Sequence, residues 1–143
     1  MKFLIINGPN LNLLGRREVD IYGAETYGDL CRLITSEAAS HGDNAEVCQS
    51  NHEGALIDAI QQAQGRYDGI VINPGAYTHY SYAIYDALRA VTVPAVEVHI
   101  SDIQNREPFR RISVTAPACI AQIVGHGLRG YGEAMALLRE RKV

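Results

Sequence analysis

Short apolar runs, each cut off by asparagine, glycine or proline, recur along this chain with helical stretches between them. Phe3-Leu4-Ile5-Ile6 stops at Asn7-Gly8-Pro9, and Gly69-Ile70-Val71-Ile72 stops at Asn73-Pro74-Gly75. A strand that is apolar at every position has no polar face to offer water, so it must lie in a sheet covered on both sides. Ala45–Gln49, Ala95–Ile100 and Cys119–Val124 read as three further strands. Between them, Thr26 caps a helix running to about His41 and closed by Gly42. Glu53 to Gln64 gathers Leu56, Ile57, Ile60 and Ala63 on one helical face, Tyr82 to Ala90 forms a helix before the breaker Pro94, and Tyr131 to Arg141 closes the chain. The alternation predicts an α/β fold: an open five-stranded parallel sheet with helices on both faces, in a single domain over residues 1–143.

Right-handed crossovers put the carboxyl ends of all strands of such a sheet on one edge, and ligands bind beyond those ends where the strand order reverses. The polar clusters fall there. Asn7-Gly8-Pro9-Asn10 follows the first strand, Gln49-Ser50-Asn51-His52-Glu53 the second, Asn73 to His79 the third, and Glu97-Val98-His99-Ile100-Ser101 ends the fourth. Turn-making accounts for about half of these residues. It leaves the histidines and glutamates of these clusters, and a run of arginines on the same edge, unexplained.

Composition narrows the chemistry. Of 13 basic residues only Lys2 and Lys142 are lysine, and the rest are arginine. Lysine forms imines with carbonyl substrates, whereas arginine stays charged and grips oxyanions in a fixed fork. Schiff-base catalysis is therefore close to excluded. A net charge of −3 removes the electrostatic motive for nucleic acid or an anionic membrane as partner. Cys31, Cys48 and Cys119 are widely spaced without a CxxC pair, which suggests neither disulfides nor a zinc site, and each reads as a small core residue. No run reaches the roughly 18 apolar residues of a membrane span. The N-terminal run turns polar at Asn7, too early for a signal peptide, so a cytoplasmic location is expected.

Four constellations carry the chemical argument. Gly125 to Gly130 matches GxGxxG, but it lies in the last βα turn and lacks the acidic residue about 20 positions on, so it reads as a close-packed helix start with anion binding as a minor alternative. Glu97 and His99, two apart on a strand, project to one face. Two readings stand for that pair: a general acid whose tautomer the carboxylate fixes, or a structural hydrogen bond. Gly15 to Gly23, with charges between terminal glycines, reads either as a mobile lid or as a solvated loop with a packed tyrosine. In the first reading an arginine held close lowers a tyrosine's ionisation from its ordinary value near pH 10 and makes a phenolate base. Arg106 to Arg111 suits a small anionic or polyhydroxylated ligand better than nucleic acid. His52-Glu53 lacks a second histidine four residues on, so no metal is expected.

Taken in order, Asn7 to Gly15 with Arg17-Glu18 and Tyr22-Gly23, Gln49 to Gly54, Asn73 to His79, Glu97 to Ser101 and Arg106 to Arg110 resemble the type II 3-dehydroquinate dehydratases along almost the whole chain. The resemblance implies a flavodoxin-like fold, cofactor-free anti elimination of water from 3-dehydroquinate to 3-dehydroshikimate in the shikimate pathway, and no metal. By position it implies Tyr22 as the base at C2 with Arg17 beside it, and Asn10 holding a water against the enolate. His99 becomes the general acid, oriented by Glu97. The backbone of Ile100 and Ser101 would take the substrate carboxylate, and Asn73, His79 and Arg110 the ring hydroxyls. Asp86 would reach a neighbouring subunit's site, which implies trimers assembled into a dodecamer. Three positions depart from the pattern: Val19 for a common proline, Tyr85 for an arginine beside Asp86, and Asp102 for an asparagine, the last adding negative charge near the carboxylate site. The rival reading is a flavodoxin-like nucleotide- or phosphate-binding module, which leaves Glu97-His99 and Arg17-Tyr22 without a task.

Overall fold

A computed structural model describes residues 1–16 and 18–141. Five strands, β1 Lys2–Asn7, β2 Asn44–Gln49, β3 Gly69–Asn73, β4 Ala95–His99 and β5 Ala121–Val124, form one sheet in the order β2-β1-β3-β4-β5. Every pairing is parallel. The order reverses between β1 and β3, which is the flavodoxin-like arrangement with its switch point at the carboxyl ends of those two strands.

Alternation along the strands sorts the side chains onto two cores. Phe3 and Ile5 of β1, Val71 of β3 and Val96 and Val98 of β4 face helices α2 (Tyr27–Ser40) and α5 (Arg129–Arg141), and meet Leu30, Ile34, Tyr131 and Met135. Leu4 and Ile6 of β1, Ile70 and Ile72 of β3 and Ala95 of β4 point the other way, onto Leu56 and Ile60 of α3 (Glu53–Gln62) and Ile84 and Leu88 of α4 (Tyr82–Ala90). Each such aliphatic side chain contributes about 1.5–3 kcal/mol by leaving water, so the register of the sheet is set by this sorting.

Local signals place the helix starts. Thr26 accepts the amide of Asp29 at 3.1 Å while the Asp29 carboxylate accepts the amide of Thr26 at 2.8 Å, a reciprocal cap on α2. Ser81 caps α4 through the amide of Ile84. Gly130 lets α5 close on the sheet, since a Cβ there would stand 3.1 Å from Val98 and 3.4 Å from Ile123. The glycine-rich turn thus has a packing task.

The expected boundaries needed small corrections. The last strand begins at Ala121, because Cys119 and Ile120 are still leaving the 3₁₀ turn Ala116–Ala118. The fourth ends at His99, α3 ends at Gln62, and α5 begins two residues before Tyr131. The segment expected as a lid contains a single helical turn, α1 (Val19–Tyr22), entered through Glu18 in the left-handed region. The three cysteines are half-buried rather than fully in the core. No described helix is long and apolar enough to cross a membrane.

Candidate active site

A cleft of about 720 Å³, counted to its open mouth, lies beyond the carboxyl ends of β1, β3 and β4, a volume suited to a small molecule. Asn10, Tyr22, Asn73, His79, His99 and Arg110 line it, with the Ile100-Ser101 segment. Residues from five separate stretches of the sequence therefore meet where the sheet topology sends ligands.

His99 and Glu97 project from β4 onto the same face, both buried, and His99 Nε2 stands 3.0 Å from Glu97 Oε2. Nδ1 is the ring nitrogen not turned to the carboxylate. Burial by itself would raise the Glu97 carboxyl, but the hydrogen bond and charge of His99 and the hydroxyls of Thr115 and Ser113 together outweigh it and hold the group below the ordinary range. Glu97 does not line the cleft. It stands behind the imidazole as its support.

On the opposing side, Tyr22 ends α1 half-buried against the α2/α5 core. The guanidinium of Arg106 donates from Nη1 to the Tyr22 hydroxyl at 2.7 Å and to Ser101 Oγ at 3.4 Å, and lies 5.1 Å from the Tyr22 ring centre. Arg17, expected beside the tyrosine, lies outside the described residues. In the sequence Arg106 stands only as part of the run Arg106 to Arg111, and its link to Tyr22 spans 84 positions, a contact that no local pattern signals.

The remaining groups are held by neighbours. Asn10 sits in the left-handed region with φ 69° at the head of the turn Leu11–Leu13, and its amide donates to Asn51 Oδ1 at 3.0 Å. Gln49 Nε2 donates to the Gly8 carbonyl at 3.1 Å, and to Asn12 and Asn51. The cluster after β2 thus braces the Asn10 loop instead of lining the cleft. Asn73 is buried, with Nδ2 donating to Tyr131 at 3.1 Å and Oδ1 accepting the Gly75 amide at 3.1 Å. Its second N–H and one lone pair of Oδ1 are left for a ligand. His79 Nδ1 meets the Ile112 carbonyl at 2.8 Å. Burial chiefly lowers its ionisation, against the pull of that carbonyl, and the charges of His99 and Arg110 lower it further, so the ring favours its neutral form with Nε2 free to accept. Arg110 pairs with Glu107 and stacks on Phe109.

Three further positions stand outside the cleft lining. Asp86 is exposed on α4 and absent from the lining of its own chain's cleft. The Asp102 carboxylate accepts from Gln104 N at 3.0 Å and Asn105 Nδ2 at 2.6 Å, and so caps the turn Ile103–Asn105. Burial and the charge of Glu97 push the Cys119 thiol up to about 12, far from a nucleophile's range. Among the described residues, no three His, Cys, Asp or Glu side chains gather closely enough to hold a metal ion.

A family model described as dehydroquinase class II matches residues 1–139. The chain belongs to the class II dehydroquinases. Within that family it is 58% identical over 139 residues to the 3-dehydroquinate dehydratase of Clostridium acetobutylicum, covering 97% of this chain and 96% of that one. The crystal structure of the type II dehydroquinase from Butyrivibrio crossotus superposes with a TM-score of 0.95 at 57% identity, covering 97% of both chains. That from Propionibacterium acnes gives 0.93 at 42% identity, over 97% of this chain and 96% of that one. Lys2 lies at the amino end of β1, opposite the cleft edge, and pairs with Glu46 at 2.9 Å.

Proposed function

We propose that this protein is a 3-dehydroquinate dehydratase of the lysine-independent type, a hydro-lyase that removes water from 3-dehydroquinate to give 3-dehydroshikimate. The observation that carries the reading is that Tyr22 and His99, from elements far apart in sequence, line one cleft with Glu97 directly behind the imidazole. Family membership supplies the substrate class.

In this account the C2–H bond, acidified by the adjacent ketone, breaks toward the Tyr22 oxygen, and its electrons form an enolate. The guanidinium of Arg106 offers charge complementary to a phenolate, with Arg17 as its partner in that task. Asn10 holds a water against the enolate oxygen, where charge develops and a fixed donor is most effective. The enolate then reforms the ketone as the C1–O bond breaks. His99 gives its proton to the departing hydroxyl, which leaves as water on the face opposite the one deprotonated, an anti elimination. Solvent then takes the proton from Tyr22, restoring the phenolate, and resupplies the one His99 gave up. Ile100 and Ser101 receive the substrate carboxylate, while Asn73, His79 and Arg110 orient the ring hydroxyls. No cofactor enters this scheme. The product feeds aromatic biosynthesis through the shikimate pathway, in the cytoplasm. Asp86, turned outward on α4, completes a neighbouring subunit's cleft in a trimer, four of which make a dodecamer.

Mass spectrometry tests the reading on both partners at once. The substrate should lose one water, and the chain's mass should be unchanged when borohydride is present during turnover. A reduced covalent adduct on the chain would place the reaction in the imine class and overturn the scheme.

A further inference from the structure

The Glu97 carboxylate is fully buried on β4, on a face that is otherwise given over to the α3/α4 core. It is enclosed by donors. Oε1 accepts the hydroxyls of Thr78, at 3.0 Å, and Thr115. Oε2 accepts Ser113 Oγ at 2.8 Å, Gln122 Nε2 at 2.7 Å and His99 Nε2 at 3.0 Å. A carboxylate offers about four lone-pair sites, so five donors saturate it. Thr78 Oγ1 also lies 2.8 Å from both Ser113 Oγ and Thr115 Oγ1. Its proton can therefore turn to a neighbouring hydroxyl, while the other donors stay on the carboxylate.

Three separate segments build this cage. Thr78 comes from the 3₁₀ turn after β3, Ser113 and Thr115 from the segment before β5, and Gln122 from β5, where it is Glu97's register partner. The amide of Val114 donates to the Thr78 carbonyl at 2.7 Å and ties two of the segments together. None of the four side chains lines the cleft. The charged or titratable groups around the carboxylate are His99 on its own strand, Cys119 beyond the Ala116–Ala118 turn, and His79 with Arg110 on the far side of the imidazole.

We infer that Thr78, Ser113, Thr115 and Gln122 are positioning residues that fix Glu97 as an anion in one orientation, and through it fix the ring of His99. The amide nitrogen of Gln122 cannot accept a proton, so a protonated Glu97 would set hydrogen against hydrogen on that oxygen. With fewer donors, the buried carboxylate takes up a proton at higher pH and no longer holds the imidazole. The inference rests on the assignment of His99 as the acid, and its test separates the two.

Thr115→Val and Gln122→Met remove one donor from each carboxylate oxygen at nearly constant shape. Unfolding free energy is measured by urea titration from about pH 3 to pH 7 for each variant, alone and in a Glu97→Gln background. A group held ionised in the fold contributes stability above its unfolded ionisation near pH 4, lost as the pH falls. The deficit of each variant should therefore grow with pH across this window and lose its pH dependence when Glu97 is glutamine. A deficit equal at every pH, or one that keeps its pH dependence in the Glu97→Gln background, overturns the cage. Turnover of 3-dehydroquinate is then read at pH 7: kcat should drop about tenfold or more with KM changed less than about threefold. An intact linkage with unchanged kcat overturns the positioning role. Wild-type protein without turnover would instead refute the dehydratase assignment and leave the linkage result standing.

Discussion

Arg106 shows most clearly how a single side chain can join two parts of the cleft. Its guanidinium contacts the hydroxyl of Tyr22 and the hydroxyl of Ser101, and so links the residue proposed as base to the place proposed for the substrate carboxylate. A charge-assisted hydrogen bond contributes about 1.5–3 kcal/mol. Arg106→Ala should accordingly lower kcat/KM for 3-dehydroquinate by about 10- to 100-fold, measured by steady-state kinetics, and Arg106→Lys should recover little because an ammonium lacks the planar fork. A loss below threefold in Arg106→Ala would remove it from the mechanism. The sequence offers no hint of this pairing. Arg17 lies near Tyr22 along the chain and Arg106 does not, and only the fold reveals the second neighbour. Thr78, Ser113 and Thr115 are hidden for a related reason, since hydroxyl residues in turns look alike whether or not a buried carboxylate faces them.

At the level of elements, the loops after β1 and β3 must be held at close quarters for Asn10 and Asn73 to share a cleft. Gly8 makes this possible. Its amide donates to the Asn73 carbonyl at 2.7 Å, and a Cβ at this position would stand 2.4 Å from the Pro74 carbonyl oxygen, a backbone atom with no room to yield. Gly8→Ala should therefore destabilise the fold by about 2 kcal/mol or more and depress turnover, because the strain falls between two site loops. Thr26→Ala is the contrasting case: loss of the α2 cap should lower stability by about 1 kcal/mol and leave turnover within twofold. Urea denaturation and kinetics on the same preparations distinguish the two. The elements themselves were largely legible, because a continuous apolar run such as Phe3–Ile6 admits few structures besides a doubly covered strand. What escaped were roles within the polar edge: Gln49 and Asn51 sit in a cluster that looks as functional as the others, yet they brace the Asn10 loop. Residue type and strand end place a side chain on the edge, but its direction depends on the neighbouring loop.

For the whole molecule, the outward position of Asp86 on α4 matters most. The side chain is exposed and is not part of the lining of its own cleft, which suits a task in another copy of the chain. If Asp86 completes a neighbour's site, Asp86→Ala and Tyr22→Phe each impair turnover, and mixed oligomers formed by joint refolding regain part of it, since some clefts then combine an intact Tyr22 with an intact Asp86. Additive, unrestored activity would confine Asp86 to its own subunit. Sizing of the wild-type protein should give several times the 15.7 kDa of one chain. The near-absence of lysine acts at this scale too. Lys2 is tied to Glu46 at the amino end of β1, so the described part of the molecule brings no amine to the edge where carbonyl chemistry would need one.

The most direct test of the central claim, a tyrosine-initiated elimination in this cleft, is the ultraviolet absorbance of the conjugated enone that forms when 3-dehydroquinate loses water. It is followed continuously with chelator-treated wild-type protein and with Tyr22→Phe side by side. The account predicts a steady rise with the wild type and a rate lower by about 10²–10⁴ in the variant, with substrate still bound. No rise with folded wild-type protein, or an equal rate in Tyr22→Phe, would contradict it.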